Sequence, residues 1–225
     1  MLNGAMRDLV IIGARSHARE IFDAIAAVNT VEPTWNVLGF VGHGETQPER
    51  IAPLGPILGD FDDDALWRSL DRDRTTYIVG IGSPADREAI AVTMADRGYS
   101  AATVVHPSAV LGSQVVLGEG CYVAAQAAVM ANAKLGRHVH INVCASVSHD
   151  CEIGDFSMLD PHAGLAGEVV VGRLVEIGTG AVARPKVRIG DGAVIGAQAA
   201  VVRNIGRGVT AIGVPARPMS DRTLD

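Results

Sequence analysis

Residues 110–205 divide without interruption into sixteen consecutive hexapeptides. The second residue of each is Leu, Val, Ile or, once, Ala, and the sixth is only Val, Cys, Ala, Ser or Ile. A long aliphatic residue alternating with a small one at this period suits short strands that turn at the corners of a triangular prism. The repeat therefore predicts an all-β left-handed parallel β-helix.

Three hexapeptides make one coil of about 18 residues, and successive coils stack at the spacing of neighbouring strands. Residues 18 apart in the sequence are then expected to lie one above the other. By this rule Asn142, Asp160 and Gly178 share one corner column, and His149 lies directly beneath Gly167. The repeat thus predicts the neighbours of individual side chains as well as the fold.

The first half of the chain has a different pattern, in which short apolar runs alternate with stretches of helical periodicity. Ser83 and Pro84 provide an N-cap and a first helical residue, and Gly98 provides a stop. Alternating strands and helices indicate an α/β domain with a short parallel sheet of Rossmann-like type. We expect this domain at 1–104 and the β-helix with a C-terminal tail at 105–225. The predicted strands are 8–13, 36–42 and 75–82, and the predicted helices are 15–28, 62–70 and 84–98.

Composition narrows the function classes. Aromatic residues make up only 4% of the 225 residues, against 48% for all hydrophobic types, so the core is expected to be mainly aliphatic. The net charge of −6 and the lack of a concentrated basic segment argue against a nucleic-acid partner. No apolar run is long enough for a membrane span, and we expect a soluble cytoplasmic protein. The three cysteines lack CxxC spacing and are expected to be buried small residues.

Several motifs together resemble those of bacterial hexapeptide-repeat acetyltransferases that act on sialic acid or on nucleotide-linked amino sugars. They are GARSHA (13–18), VVHPSAVLG (104–112), HDCEIGDF (149–156) and GVPARP (213–218). The resemblance implies an acetyl-CoA-dependent N-acetyltransferase whose acceptor is the 4-amino group of a UDP-linked or GDP-linked deoxysugar. It also implies a homotrimer. The alternatives are O-acetylation of sialic acid or another sugar, and a non-enzymatic oligomeric scaffold.

In the family that the chain resembles, the residue matching His149 is the general base and the acid after it orients the ring. A neutral imidazole suits proton removal from an amine or hydroxyl, and an adjacent carboxylate selects one tautomer. The alternative is a solvated surface pair. Gly167 matches the position that faces the thioester carbonyl, although it could equally serve only as a corner glycine with positive φ. Cys151 falls in the small inward column and is not expected to be a nucleophile.

The resemblance also assigns the cosubstrate and the acceptor. Pantetheine is expected along Gly178, Thr179, Gly196 and Ala197, with Arg217 near the CoA phosphates. The acceptor is expected at a turn formed by Gly13, Arg15, Ser16 and His17, at Gly82, and at a corner formed by Asn142, Asp160 and His162. The alternative for the turn is a purely structural role.

Three features depart from the family pattern. Arg15 and Ser16 replace a pair of small residues, GFVGHG (39–44) lacks two usual acids, and Met158 stands where a second histidine is common. We expect no metal, because the spacings of His106, His138, His140 and His162 do not stack them in one chain.

Overall fold

The computed structural model describes residues 6–44 and 46–219. The chain forms two compact units, Met1–Pro107 and Ser108–Asp225. The sequence placed the division between residues 104 and 105. Within the described residues, no helix has both the length and the apolar character that a membrane crossing requires.

The elements of the first unit are β1 (Arg7–Ile12), α1 (Ser16–Val31), β2 (Trp35–Gly42), α2 (Pro48–Ile51), β3 (Ile57–Asp60), α3 (Asp64–Ser69), β4 (Thr75–Val79), α4 (Pro84–Asp96), β5 (Ser100–Ala101) and β6 (Val104–Val105). The unit is built on a parallel sheet with the strand order β3-β2-β1-β4-β5. The predicted strands and helices are present, whereas α2, β3, β5 and β6 were not identified from the sequence.

Helix α4 begins and ends as its sequence predicts. The Ser83 hydroxyl accepts a hydrogen bond from the Asp86 N–H at 3.3 Å, and Pro84 follows at the first helical position. Gly98 adopts a φ of +80°, a conformation that glycine reaches without steric penalty. These local signals set the two ends of α4, the helix that follows the loop 80–83 at the carboxyl edge of the sheet. This loop is called the second loop below.

The second unit is the predicted left-handed parallel β-helix. Pairs such as Ala128 with Ser146 and Lys134 with Glu152 lie 18 residues apart, as the coil length requires. The last coil is shorter, because Val194 pairs with Thr210. The strands are β7 (Val110–Leu111), β8 (Val116–Leu117), β9 (Tyr122–Val123), β10 (Ala128–Val129), β11 (Lys134–Leu135), β12 (His140–Ile141), β13 (Ser146–Val147), β14 (Glu152–Ile153), β15 (Met158–Leu159), β16 (Gly164–Leu165), β17 (Val170–Val171), β18 (Glu176–Ile177), β19 (Val182–Ala183), β20 (Arg188–Ile189), β21 (Val194–Ile195), β22 (Ala200–Val201), β23 (Thr210–Ile212) and β24 (Arg217–Pro218).

The strands form the three faces of the prism, and three corners connect them. One face contains β7, β10, β13, β16, β19 and β22, and a second contains β8, β11, β14, β17 and β20. The third contains β9, β12, β15, β18, β21, β23 and β24. The corner that follows the first face is called the dyad corner and comprises residues 148–151 and 166–169. The corner that follows the third face is called the acceptor corner and comprises residues 142–145, 160–163, 178–181 and 196–199.

The fifth residue of most hexapeptides has a positive φ, between 54° and 65° for the non-glycine residues. Asp150 and His162 are two of these residues, with φ values of 57° and 61°. The N–H of this residue donates to the preceding coil, as Asp150 does to the Ala131 carbonyl at 3.0 Å. The corner hydrogen bonds therefore hold the backbone of residues other than glycine at a positive φ, which such residues rarely adopt elsewhere.

Candidate active site

His149 and Asp150 form a hydrogen-bonded pair at the dyad corner. His149 Nδ1 lies 2.8 Å from Asp150 Oδ2, and both side chains are about half exposed. Hydrogen bonds from His149 and then from Asn132 lower the pKa of the Asp150 carboxyl from its ordinary value. Because an ionised carboxylate only accepts hydrogen bonds, Nδ1 is the donor to Asp150, and Nε2 of the neutral imidazole then presents its lone pair. The pair thus has the geometry of a base with its orienting group.

Gly167 lies directly against the His149 ring, as the 18-residue spacing predicted. A Cβ atom at Gly167 would come within 2.5 Å of His149 Cε1 and 2.6 Å of Nε2. The φ of Gly167 is not in the left-handed region, so the alternative of a glycine needed only for positive φ is wrong. Within residues 6–44 and 46–219, its N–H meets no protein acceptor. A backbone donor without a protein acceptor among the described residues, called the open N–H below, therefore lies beside the imidazole, on a residue that is itself buried.

Cys151 contributes to the same corner from inside the prism. It is fully buried, and its Sγ donates to the Ala166 carbonyl at 3.1 Å, on the peptide bond whose nitrogen belongs to Gly167. Burial raises the pKa of the Cys151 thiol above its usual range. The predicted inward position of Cys151 is confirmed, and a buried, protonated thiol is a poor nucleophile.

The acceptor corner contains the remaining predicted residues of the β-helix. Asn142 is 6% exposed and donates through Nδ2 to the Leu159 carbonyl at 2.9 Å. His162 is exposed at a positive φ, and Asp160 is half-buried in the column that continues from Asn142. This corner lies on a different edge of the prism from His149, so one chain does not bring the two groups together within the β-helix.

Gly178, Thr179, Gly196 and Ala197, which are expected along the pantetheine, all lie at the acceptor corner. The N–H groups of Gly178 and Gly196 donate to the carbonyls of Ile195 and Ala211 at 2.7 and 2.9 Å, so they are engaged in the coil. A Cβ at Gly178 would meet Ile195 O at 2.7 Å, so this glycine is required for coil stacking. Thr179 and Ala197 are exposed, and among the described residues neither N–H has a backbone acceptor.

Two other predicted features of the β-helix have clear positions. Arg217 is exposed in β24, and its Nη1 donates to the Ala216 carbonyl at 2.9 Å. Met158 is buried in β15, where it pairs with His140 and Glu176. A side chain in this position offers no polar group at the surface.

The first unit has a cavity of about 510 Å³ at the carboxyl ends of its central strands. Gly13 and Gly80 approach closely there, because a Cβ at Gly13 would lie 2.8 Å from the Gly80 carbonyl oxygen. Helix α1 begins at this cavity with no acidic residue in its first turn, an arrangement that favours an anion. All five acceptor residues predicted for this unit line the cavity: Gly13, Arg15, Ser16, His17 and Gly82.

Sequence reasoning missed three residues around this cavity. His43 lines it from GFVGHG (39–44), the segment that lacks two acids usual in the family, and Asp86 lines it from the start of α4. Arg87 is fully buried, and its Nη1 donates to the carbonyls of Ile81 and Gly82 at 3.2 and 2.6 Å. It thereby holds the second loop in place. Asp86 was identifiable in principle, because it follows the second loop, which contains the predicted Gly82, whereas nothing local indicated the burial of Arg87.

Comparisons with known proteins identify the family. Residues 8–94 match the model of the PglD N-terminal domain. GDP-perosamine N-acetyltransferase from Escherichia coli O157:H7 is 33% identical over 148 residues, which cover 64% of this chain and 67% of that protein. PerB from Caulobacter crescentus, solved with CoA and GDP-perosamine, is 33% identical with a TM-score of 0.85, over 96% of this chain and 99% of that one. The chain belongs to the nucleotide-amino-sugar acetyltransferase family.

Other members of this family have been solved in informative states. The acetyltransferase domain of PglB from Neisseria gonorrhoeae in complex with acetyl coenzyme A is 31% identical, with a TM-score of 0.86 over 96% of this chain and all of that one. The Caulobacter enzyme has also been solved with one histidine replaced by asparagine or by alanine. The resemblance seen in the sequence is confirmed, as are the enzyme class, N-acetylation of a nucleotide-linked amino sugar, and acetyl-CoA as the acetyl donor.

Proposed function

We propose that the chain transfers the acetyl group of acetyl-CoA to the 4-amino group of a GDP-linked deoxysugar of the perosamine type. GDP-perosamine is named for both the Escherichia coli relative and the Caulobacter structure. The observation that carries the proposal is the His149 imidazole, hydrogen-bonded through Nδ1 and stacked on Gly167. A base with a free Nε2 beside an open N–H donor is what acyl transfer from a thioester requires.

His149 is the general base in this proposal. Nε2 takes a proton from the amine as its nitrogen attacks the thioester carbonyl carbon, and Asp150 stabilises the imidazolium that forms. The Gly167 N–H donates to the oxyanion of the tetrahedral intermediate. When the C–S bond breaks, the imidazolium returns the proton to the departing thiolate. The products are the amide and free CoA, and the base is regenerated.

The two substrates are assigned to separate parts of the chain. The open N–H groups of Thr179 and Ala197 are proposed to receive the pantetheine amides, with Gly178 and Gly196 setting the coil geometry behind them. Arg217 is proposed to pair with a CoA phosphate. The nucleotide diphosphate is proposed to bind at the start of α1, with Arg15 as its cation and Ser16, His17 and Gly82 around it.

A homotrimer completes the proposal. Within the β-helix of one chain, His149 and the acceptor corner with Asn142, Asp160 and His162 lie on different edges. A threefold arrangement of prisms brings the dyad corner of one chain to the acceptor corner of its neighbour and closes symmetrically. A cytoplasmic location is proposed with it, since acetyl-CoA and nucleotide sugars are made there.

The test is a thiol-release assay with acetyl-CoA and a panel of acceptors: GDP-linked, UDP-linked and dTDP-linked 4-amino sugars, and free sialic acid. We expect the GDP-linked amine to give the highest kcat/KM and an N-acetylated product by mass spectrometry. His149→Ala is the control for uncatalysed acetylation. Release with sialic acid alone would reassign the chain to O-acetylation. Absence of both turnover and CoA binding would leave only the scaffold function.

A further inference from the structure

Asn132, Asp150 and His149 form a continuous chain of hydrogen bonds. Asn132 Nδ2 donates to Asp150 Oδ1 at 3.0 Å, and Asp150 Oδ2 accepts from His149 Nδ1 at 2.8 Å. Each carboxylate oxygen thus has one partner. Asn132 precedes Asp150 by one coil, in the same corner column, and has nearly the same φ, 60° against 57°. Asn132 belongs to none of the motifs that resemble the family.

We propose that Asn132 is a positioning residue for the acetyl transfer, fixing the Asp150 carboxylate so that its other oxygen faces His149. The proposal rests on the proposed function, in which His149 is the base. Asp150 is about half exposed, so packing does not fix the rotation of its carboxylate, and water competes for both oxygens. A donor held by the neighbouring coil reduces that freedom and keeps the imidazole in one orientation.

Hydrogen bonds at this corner fix the backbone of both residues. The Asn132 N–H donates to the Ser113 carbonyl, and the Asp150 N–H donates to the Ala131 carbonyl, both at 3.0 Å. Asparagine also tolerates the positive φ of this column better than most residues. The amide therefore reaches the carboxylate from a rigid support.

The opposite neighbour in the column cannot replace it. Glu168 lies one coil beyond Asp150, and its carboxylate is paired with Lys186 Nζ at 3.5 Å. An ionised carboxylate has no hydrogen to donate. Asn132 also adds no charge, whereas a lysine in its place would compete with the imidazolium for the Asp150 carboxylate. The neutral Asn132 amide therefore orients the Asp150 carboxylate without weakening the hydrogen bond between Asp150 and His149.

The test compares Asn132→Gly in two backgrounds. Glycine accepts the positive φ and removes only the amide. We expect kcat to fall about 3- to 10-fold, the range for one lost hydrogen bond, with the KM for acetyl-CoA unchanged. In an Asp150→Ala background the same substitution should have no further effect, because Asn132 acts through Asp150. An equal fall in kcat in both backgrounds would overturn the proposal, because a residue that only stabilises the fold would lower kcat whether or not Asp150 is present.

Two further variants control the result. Gln114→Gly changes the next residue down the same column, also at a positive φ, and should leave kcat unchanged. Asn132→Asp keeps the shape of the side chain but replaces the donor with a second negative charge, and should lose at least as much turnover as Asn132→Gly. Wild-type turnover in Asn132→Asp would also overturn the proposal.

The measurements separate this inference from the proposed function. Without wild-type acetyl transfer, or without a loss of turnover in Asp150→Ala, the function or the dyad itself is wrong. If both are present and Asn132→Gly is fully active, only the role of Asn132 is wrong. Thermal unfolding of every variant shows whether the β-helix is intact in each case.

Discussion

The imidazole of His149 and the α-carbon of Gly167 are in direct contact across two successive coils of the β-helix. The space that a Cβ atom would need at Gly167 is occupied by the ring, at 2.5 Å from Cε1. Glycine at this position therefore sets how closely the base and the open N–H approach each other. The His149 ring can lie this close to the Gly167 N–H because Gly167 lacks the Cβ atom that every other residue would place there.

Replacing Gly167 with alanine should push the ring away from its position. We expect kcat to fall about 10- to 100-fold, because a displacement of about 1 Å in a catalytic group has effects of this size. Gly164→Ala is the matched control in the same coil, since its Cβ would lie 3.3 Å from Ser146 Oγ and requires only a small adjustment. Steady-state kinetics on both variants tests the prediction. Equal activity in the two would remove Gly167 from the site.

Substitution of His149 should affect chemistry and not cosubstrate binding. We expect His149→Ala and His149→Asn to lower kcat about 10²- to 10⁴-fold, the usual range for a lost general base. The dissociation constant of CoA, measured by calorimetry, should stay within about twofold, because the groups proposed to bind it are Thr179, Ala197 and Arg217, whereas His149 acts on the attacking amine. Wild-type turnover in both folded variants would place the base elsewhere.

The three cysteines should differ in reactivity. Cys121 and Cys151 are fully buried, whereas Cys144 is half-buried at the acceptor corner. Because burial raises the pKa of the Cys151 thiol, it stays protonated above the pH at which an ordinary thiol ionises, and alkaline pH should not make it reactive. Titration of the native protein with a thiol reagent should label Cys144 first, and denaturant should expose the other two. Rapid labelling of Cys151 in the native state would contradict its assigned position.

Much of the β-helix was predictable because its six-residue period is present in the amino-acid sequence itself. The hexapeptide repeat gives the coil length, and the coil length gives the stacking of His149 on Gly167 and of Asp160 on Asn142. The same spacing places Asn132 beneath Asp150, so the signal for this residue was present in the sequence. It was missed because Asn132 belongs to no motif.

Other features were beyond local sequence reasoning. Leu174 and Phe156 have positive φ values, although neither residue favours that conformation. Hydrogen bonds to the preceding coil impose it, as from the Phe156 N–H to the Arg137 carbonyl at 2.8 Å. Likewise, the engagement of the Gly178 N–H with Ile195 depends on a coil formed 17 residues later. Such outcomes follow from tertiary pairing, which overrides local propensity.

Arg15 tests whether the cavity of the first unit binds an anion. The residue is the N-cap of α1 and lines the cavity. Arg15→Ala should raise the acceptor KM about 10- to 150-fold, the effect of losing one charged hydrogen bond, and leave acetyl-CoA binding unchanged. Arg74→Ala is the control, since Arg74 is exposed and pairs with Asp8 at 4.0 Å. An unchanged acceptor KM would favour a purely structural turn.

The shared site of the proposed trimer can be tested by complementation. His149→Ala removes the base at the dyad corner, and Ala197→Trp fills the exposed position proposed for pantetheine at the acceptor corner. Each variant alone should be inactive. Co-expressed, they should recover about a quarter of the wild-type activity, because random mixing in a closed ring pairs an intact dyad corner with an intact neighbouring acceptor corner at that frequency. Light scattering should give the mass of three chains. A monomer with full activity, or a mixture that stays inactive although mixed trimers form, would show that each chain builds its site alone.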